Sequence, residues 1–217
     1  MDYKFKTTPY QHQLDALEKC SKKRDYALFC EMGTGKSKIL LDNIGMLYDE
    51  GRINGAIIVA PKGVYKNWIV QEIPTHLPDH ILCRTFQWVA PSSRTKQDQE
   101  LLDQLYADTR DPALTLFVVN VEAFSSAPGI EEAEKFLSAY KTMFAIDEST
   151  AIKSPGAQRT QNIVRISRMA KYRRIMTGSP VTKSPLDLYS QCEFLDPELL
   201  GHSSFYPFRA RYANMQT

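Results

Sequence analysis

Six short apolar runs, separated by longer amphipathic stretches, follow one another along the 217 residues of this chain. Each run is rich in β-branched or aromatic residues and ends in a polar turn or in a turn that contains glycine or proline, which is typical of buried strands. The runs lie at 26–30, 56–60, 81–86, 114–119, 143–146 and 174–176 with its flanks. Because strands that alternate with helices form parallel sheets, the pattern predicts an α/β fold whose parallel sheet has helices on both faces.

Helices are predicted between these strands. The clearest lies at 36–48, where Leu40, Ile44 and Leu47 recur at helical spacing. Others are predicted at 11–20, 64–73, 96–106, 130–140, 157–169 and 186–194. The polar and charged region 92–111 leaves two alternatives open, a helical insertion and a mobile loop. Since ligands bind beyond the carboxyl ends of parallel strands, we expect the functional residues at that edge of the sheet.

The composition excludes several classes of protein. Hydrophobic residues make up 43% of the chain, yet no apolar run approaches the roughly 18 residues of a membrane span. The four cysteines form no C-x-x-C pair and the four histidines lack ligand spacing, so neither a zinc site nor a disulfide framework is expected. The N-terminus lacks the apolar core of a signal peptide, and we expect a soluble, cytoplasmic protein with no membrane partner. The net charge is only +2, so any nucleic-acid-binding surface must be local.

The segment EMGTGKS at 31–37 follows a predicted strand and opens a predicted helix, which is the context of a phosphate-binding loop. Glycines let the backbone aim its N–H groups at phosphate oxygens, and the helix adds its positive end. Lys36 is expected to pair with the β- and γ-phosphates, and the Ser37 hydroxyl to bind Mg²⁺. Cys30 stands where the usual pattern has its first glycine, so an ordinary glycine turn with a solvated lysine stays open. The residues of this loop predicted to bind ATP are Gly33, Thr34, Gly35, Lys36 and Ser37.

Two carboxylates end the apolar run at 143–146. Asp147 is expected to hold the Mg²⁺, and Glu148 to orient and deprotonate the attacking water, because phosphoryl transfer depends on positioning and charge stabilisation. The alternative is a solvated acidic pair at a strand end. The predicted strand brings the pair to the same sheet edge as Lys36, which favours Lys36 and Glu148 as catalytic residues.

These segments resemble, in order, the motifs of the first RecA-like domain of superfamily-two helicases, in the Swi/Snf-like branch. The resemblance extends from about residue 5 to the C-terminus. It implies a RecA-like P-loop domain that binds ATP and Mg²⁺ and hydrolyses ATP while it moves on nucleic acid. Gln13, in HQLDAL, resembles the glutamine that recognises adenine, since an amide can donate and accept, and Gln11 is its rival. The acidic box is DEST in this chain, whereas this branch often has Ala-His at its end.

The resemblance also assigns contacts with nucleic acid. The strand end at 57–61, with Trp68 and Glu72 beyond it, and the segment 117–122 resemble motifs that touch the nucleic-acid backbone. Trp68 is better explained as a core residue than as a base-stacking platform. The residues predicted to contact nucleic acid are Pro61, Lys62 and Asn120. Four basic residues are either phosphate contacts, if they share one face, or solvated charges: Lys62, Lys66, Lys153 and Arg159.

The TGSP sequence at 177–180 resembles the motif that couples nucleotide state to the grip on nucleic acid. The predicted coupling residues are Thr177 and Ser179, whose hydroxyls are expected to hydrogen-bond the acidic box. The alternative is a turn containing glycine and proline after a strand. The helix predicted after this motif also resembles the family.

A motor of this type binds ATP between two RecA-like domains, and the second supplies arginines that stabilise the transition state. We expect 1–201 to be the first domain and 202–217 to begin a linker to a second domain, in cis or in a partner chain. The chain is then a piece of a motor and hydrolyses ATP poorly by itself. The resemblance implies duplex or branched DNA as the nucleic acid. DEST and the segment 152–160 look most like compact phage or bacterial members.

Two other functions stay open. A regulator that does not hydrolyse ATP would use the same fold to hold nucleic acid or a protein, but the intact Lys36, Asp147 and Glu148 argue against it. A P-loop kinase of small molecules is disfavoured because such kinases lack the TGSP motif and the DEST box.

Overall fold

The computed structural model describes residues 3–107 and 112–213. Its centre is a six-stranded sheet in which every neighbouring pair of strands is parallel. The strands are β1 (Asp25–Phe29), β2 (Gly55–Ala60), β3 (Cys83–Gln87), β4 (Leu114–Asn120), β5 (Thr142–Asp147) and β6 (Tyr172–Thr177). Their order across the sheet is β1-β6-β5-β2-β4-β3. The predicted parallel sheet and its six strands are confirmed.

Helices connect the strands. They are α1 (Gln11–Cys20), α2 (Lys36–Asp49), α3 (Tyr65–Asn67), α4 (Ile73–His76), α5 (Lys96–Ala107), α6 (Ala127–Ala139), α7 (Gln158–Ser167), α8 (Leu188–Leu195) and α9 (Phe205–Tyr212). A π-helical segment, Trp68–Glu72, joins α3 to α4. Short 3-10 turns, Val121–Ser125 and Ser149–Ile152, follow β4 and β5.

Both faces of the sheet are buried, because alternate residues of each strand point to opposite sides. In β2, Ala56 and Ile58 pack in a cluster with side chains of α1, α2 and α3. Ile57 and Val59 pack in a second cluster with side chains of α5, α6, α7 and α8. A strand buried on both faces is a continuous apolar run in sequence, which explains the runs of β2, β4 and β5. The predicted helices on both faces of the sheet are confirmed.

The prediction of one regular α-helix at 64–73 is wrong, because part of this segment is π-helical. The chain is helical from Tyr65 to His76, but Trp68–Glu72 is π-helical, and the Ile73 N–H donates to the Trp68 carbonyl oxygen. Pro74 follows directly, and proline lacks an N–H and crowds the carbonyl four residues earlier. The wider π turn accommodates that proline without ending the helix.

Residues 96–107 of the ambiguous region 92–111 form α5, so the helical alternative holds there. Residues 108–111 lie outside the described part of the chain. Near the C-terminus, Phe208 of α9 is 4% exposed and packs on Tyr189 of α8, with ring centroids 5.4 Å apart. The domain boundary at residue 201 stays a prediction, and residues 214–217 of the proposed linker are not among those described. In the described ranges no helix has both the length and the apolar character needed to cross a membrane.

Candidate functional site

The register of three neighbouring strands decides where the site lies. Phe29 at the end of β1 pairs with Thr177 at the end of β6, and Met176 of β6 pairs with Asp147 at the end of β5. The loops that follow β1, β6 and β5 therefore emerge side by side at the carboxyl edge of the sheet. The phosphate loop, the TGSP turn and the acidic pair meet at this edge.

The phosphate loop turns tightly between β1 and α2. Gly33 and Gly35 each have a φ of 78°, a left-handed conformation that favours glycine. A Cβ added at Gly35 would overlap the side-chain amide of Gln13, so the loop backbone approaches α1 closely. Thr34 Oγ1 donates to the Glu31 carbonyl oxygen at 2.8 Å and closes the turn. The first turn of α2 follows at once and brings N–H groups that have no intrahelical acceptor.

Lys36 lies across this loop. Its ammonium donates to the carbonyl oxygens of Cys30 at 3.1 Å and of Glu31 at 3.0 Å. These bonds hold a positive charge over the concave side of the loop. Phosphate oxygens are stronger acceptors for a charged donor than peptide carbonyls are, so the ammonium can exchange these partners for a nucleotide.

Glu148 has a strained backbone. Its φ is 51°, and no other non-glycine residue in the described ranges has a positive φ. Strain of this kind costs about 1–3 kcal/mol and persists where the surrounding structure holds it. Thr177, which is 1% exposed, supplies part of that hold, because its Oγ1 donates to Glu148 Oε2 at 3.0 Å. The Ser179 backbone N–H donates to Thr177 Oγ1 at 3.2 Å, so Ser179 joins this network through its backbone.

Trp68 fixes the other carboxylate. Its indole N–H donates to Asp147 Oδ2 at 3.1 Å, and its side chain is 2% exposed. Trp68 is therefore a core residue, as its sequence context favoured, and it also touches the acidic pair. Burial raises the pKa of Asp147 to about 6, opposed by the Trp68 hydrogen bond and reinforced by the neighbouring Glu148 charge.

One cavity of about 550 Å³ collects these groups. Its lining includes Gly33, Gly35, Lys36, Ser37, Asp147 and Glu148. The volume lies within the range of small-ligand sites, about 300–1,000 Å³. An ammonium and free N–H groups suit phosphates, and a hydroxyl with a carboxylate suits Mg²⁺, which prefers oxygen ligands and keeps several waters. The side chains present therefore fit Mg-ATP.

Three further ionisable residues line the cavity that no motif singled out for it: Lys38, Glu72 and His76. Lys38 follows Lys36 by two residues and forms a buried ion pair with Asp42, with Nζ 2.7 Å from Oδ2. Glu72 belongs to the segment that resembles a nucleic-acid-contacting motif, but the structure places it at the nucleotide cavity instead. His76 accepts or donates a hydrogen bond with Thr7 at 3.0 Å, and no pattern in the sequence indicated its position.

The structure separates the two candidate adenine-recognising glutamines. Gln13 is 3% exposed, accepts from the Tyr10 N–H at 2.9 Å, and donates to the Thr34 carbonyl oxygen at 3.1 Å. Gln11 is exposed and donates to Asp15 at 2.8 Å. Gln13 is thus the glutamine that touches the phosphate loop. Its amide retains one N–H and one lone pair beyond these bonds. Its adenine contact stays a prediction.

Comparison with known proteins agrees with this geometry. The profile of the SNF2-related domain matches residues 11–214. The chain belongs to the SNF2-related domain family. The expected resemblance to the first RecA-like domain of Swi/Snf-like ATPases is therefore confirmed.

Individual relatives are distant and longer. The human "SWI/SNF-related matrix-associated actin-dependent regulator of chromatin subfamily A containing DEAD/H box 1" is 27% identical over 176 residues, which are 80% of this chain and 16% of that protein. The "DNA repair and recombination protein RAD54-like" of Drosophila ananassae is 25% identical over 191 residues, 85% of this chain and 22% of that protein. The Sulfolobus solfataricus SWI2/SNF2 ATPase core has the same fold, with a TM-score of 0.73 and 18% identity. That similarity covers 98% of this chain and 40% of the Sulfolobus chain.

A second groove of this SNF2-related domain, about 460 Å³ in volume, lies at the ends of β2, β3 and β4. Lys62, Lys66 and Asn120 line it, so two of the four basic residues considered for phosphate contact do share one face. Asn120 Oδ1 accepts from the Ala123 N–H at 3.0 Å and caps the turn Val121–Ser125. Pro61 lines the nucleotide cavity instead, and Lys153 donates to Thr182 at 2.5 Å.

Proposed function

We propose that this domain is the nucleotide-binding half of a DNA-dependent ATPase motor of the helicase or translocase type. One observation carries the proposal: Lys36 and the adjacent pair Asp147 and Glu148, which lie more than a hundred residues after it in sequence, line a single cavity together with Ser37. Membership of the SNF2-related domain family supports it.

Each residue has a role in this proposal. Lys36 and the N–H groups of the phosphate loop neutralise the phosphates, and the Ser37 hydroxyl with the Asp147 carboxylate holds Mg²⁺. Bound Mg²⁺ supplies positive charge to the phosphate oxygens as charge develops on them. Glu148 orients the attacking water and accepts its proton. Gln13 recognises the adenine edge through the hydrogen-bonding capacity that it retains.

The second groove is the proposed contact with DNA. Lys62 and Lys66 supply cations there, and Asn120 supplies a polar side chain at the same edge. The Sulfolobus SWI2/SNF2 core was solved in complex with dsDNA, which supports duplex DNA as the partner. The affinity of contacts with the phosphate backbone falls steeply with salt concentration and does not depend on base sequence. We expect both properties of DNA binding by this domain. The phage or bacterial source suggested by the DEST segment stays a prediction.

The proposal includes a second RecA-like domain, in cis or in a partner chain. The chain spans 16% and 22% of the two curated relatives named above, so those proteins have ample length for one. Arginines supplied across such an interface raise the rate of hydrolysis by about 10³–10⁵. We therefore expect residues 1–217 alone to bind Mg-ATP weakly and to hydrolyse it poorly, with 1–201 as the domain and 202–217 as the start of the linker.

Steady-state ATP hydrolysis, with and without duplex DNA and beside Lys36→Ala, tests the proposal. We expect the wild-type protein to bind Mg-ATP and Lys36→Ala to lose that binding. The ATP turnover of the wild-type protein should stay near that of Lys36→Ala. Strong DNA-stimulated turnover that Lys36→Ala abolishes would support the ATPase function and refute the half-motor claim.

A second arm of the test concerns Glu148→Gln. If wild-type protein hydrolyses ATP, loss of the water-activating base is expected to trap bound ATP, and this variant should then retain nucleotide longer than wild type. Wild-type protein that binds DNA but no nucleotide would instead favour a regulator that does not hydrolyse ATP.

A further inference from the structure

A fully buried glutamine connects the acidic segment to the TGSP turn. Gln191 of α8 is 0% exposed, as is Ser149, which directly follows Glu148. Ser149 Oγ donates to Gln191 Oε1 at 2.6 Å. The Gln191 amide nitrogen donates to the Pro180 carbonyl oxygen at 2.8 Å and to the Asp187 carbonyl oxygen at 2.7 Å. Pro180 is the last residue of the TGSP turn.

The three hydrogen bonds of the Gln191 side chain are costly to break. Both N–H groups of the Gln191 amide are used, and its oxygen accepts a hydroxyl in a site closed to water. A buried polar group left without its partner costs about 1–3 kcal/mol. Ser149 and Pro180 therefore keep their relative position as long as Gln191 stays in place, and the bond to Asp187 fixes the amide to its own helix.

The TGSP turn is thus held at both ends. Thr177, at its start, donates to Glu148. Pro180, at its end, is tied through Gln191 to Ser149. The next part of the loop is fixed to the same helical unit, since the Asp187 carboxylate accepts from the backbone N–H groups of Thr182 and Lys183, each at 2.9 Å. A displacement of the acidic segment therefore reaches the TGSP turn through two connections, one from Glu148 to Thr177 and one from Ser149 through Gln191 to Pro180.

We propose that Gln191 is a positioning residue that keeps the 177–180 turn in register with the acidic segment, so that nucleotide binding and DNA binding are coupled. This inference rests on the proposed function and adds a residue to it. Gln191 lies outside the nucleotide cavity and the second groove. Its effect is therefore expected on the coupling between the two ligands rather than on either affinity alone.

Two features separate coupling from a merely structural role. Coupling is reciprocal: the factor by which DNA changes nucleotide affinity equals the factor by which nucleotide changes DNA affinity, and such factors are typically about 5–150. A buried polar pair can also be replaced by apolar groups at little cost to stability. Ser149→Ala combined with Gln191→Leu therefore removes the connection and leaves neither side chain with an unpaired polar group. The Pro180 and Asp187 carbonyl oxygens lose the amide donor equally in Gln191→Leu and in the combined variant.

The experiment measures the affinity of the full chain for a fluorescent, non-hydrolysable ATP analogue with Mg²⁺, with and without saturating duplex DNA, together with the thermal midpoint. The variants are Gln191→Leu, Ser149→Ala and their combination. Ser190→Ala is the matched control, because Ser190 neighbours Gln191, is 0% exposed, and has an Oγ without a hydrogen-bond partner among the described residues.

We expect the coupling factor to fall at least fivefold toward 1 in all three variants and to stay at the wild-type value in Ser190→Ala. The combined variant should regain thermal stability relative to Gln191→Leu, because it no longer buries an unpaired Ser149 hydroxyl, while remaining uncoupled. Wild-type coupling in the combined variant, or an equal loss in Ser190→Ala, would overturn the inference. So would a wild-type chain that binds both ligands without coupling. A wild-type chain that binds no nucleotide would overturn the proposed function itself.

Discussion

Trp68 and Asp147 are 79 residues apart in sequence, yet the indole N–H of one donates to Oδ2 of the other at 3.1 Å. The donor comes from the π-helical segment Trp68–Glu72, and the acceptor lies at the end of β5. The bond fixes the orientation of the carboxylate that is proposed to hold Mg²⁺. A π-helical turn is uncommon and often occurs at functional sites, and here it delivers the indole to the acidic pair.

Replacement of Trp68 by phenylalanine is expected to weaken Mg²⁺ binding. The change removes the indole donor and keeps an aromatic ring in the core. A hydrogen bond to a charged group is worth about 1.5–3 kcal/mol, and about 1.4 kcal/mol corresponds to a tenfold change in affinity. The Mg²⁺ concentration for half-maximal binding of the ATP analogue at pH 8 should therefore rise about tenfold.

Trp88→Phe is the matched control for that measurement. Trp88 is also buried, at 4% exposure, but it packs in the cluster on the opposite face of the sheet from Trp68. Its loss should lower stability without changing the Mg²⁺ requirement. An equal shift in both variants would mean that loss of packing, not of the indole donor, explains the effect.

The pH dependence of Mg²⁺ binding follows from the raised pKa of Asp147. Burial raises that pKa to about 6, and only the ionised carboxylate binds the metal. Mg²⁺ affinity should be constant above pH 7 and fall about tenfold per pH unit below about pH 6, as one proton competes with the metal. Titration of Mg²⁺ binding between pH 5 and pH 8 checks this. A midpoint near pH 4 would show that Asp147 titrates as an ordinary exposed carboxylate.

The stability of the folded protein should also depend on the ionisation of Asp147, but it should fall with rising pH, whereas Mg²⁺ affinity rises. The folded-state pKa lies above the unfolded value of 3.8, so ionised Asp147 destabilises the folded state above about pH 6, and protonation removes this penalty as the pH falls. Asp147→Asn resembles the protonated form. Its thermal midpoint should exceed that of wild type at pH 8, and the difference should vanish by about pH 4. Equal midpoints at pH 8 would contradict a destabilising buried charge.

Sequence patterns predicted the parts of this molecule that follow periodicity. Strands such as β2 and β4 are buried on both faces, so their apolar runs stand out. Asp147 was found because it ends such a strand, β5, and Lys36 because its glycine-containing loop lies between a strand and a helix. The contacts of Trp68 and Gln191 were not predicted, since hydrogen bonds between residues far apart in sequence leave no periodic signal. The order of the strands, which brings β1, β6 and β5 together, likewise depends on tertiary packing.

The two glycines of the phosphate loop offer a matched pair of variants. Gly33 and Gly35 have the same φ of 78°, so alanine adds a similar backbone strain at either, about 1–2 kcal/mol. The surroundings differ: a Cβ at Gly33 has nothing within 4 Å, whereas at Gly35 it would overlap the Gln13 amide. Gly35→Ala should therefore lower both the thermal midpoint and ATP affinity more than Gly33→Ala does. Similar losses in the two variants would argue against close contact between the loop and Gln13.

Substitutions of Gln13 and Gln11 are expected to differ in their effect on the preference for ATP over GTP. Gln13 touches the Thr34 carbonyl oxygen of the phosphate loop and keeps hydrogen-bonding capacity for adenine, whereas exposed Gln11 pairs with Asp15. Gln13→Ala should lower ATP affinity about tenfold and reduce the preference for ATP over GTP, since an adenine-specific hydrogen-bond pair is lost. Gln11→Ala should leave both affinities within about twofold, the scale of a surface change. Competition binding with the two nucleotides measures the ratio. If Gln11→Ala erases the preference and Gln13→Ala weakens ATP and GTP equally, adenine recognition belongs to Gln11, and Gln13 only supports the phosphate loop.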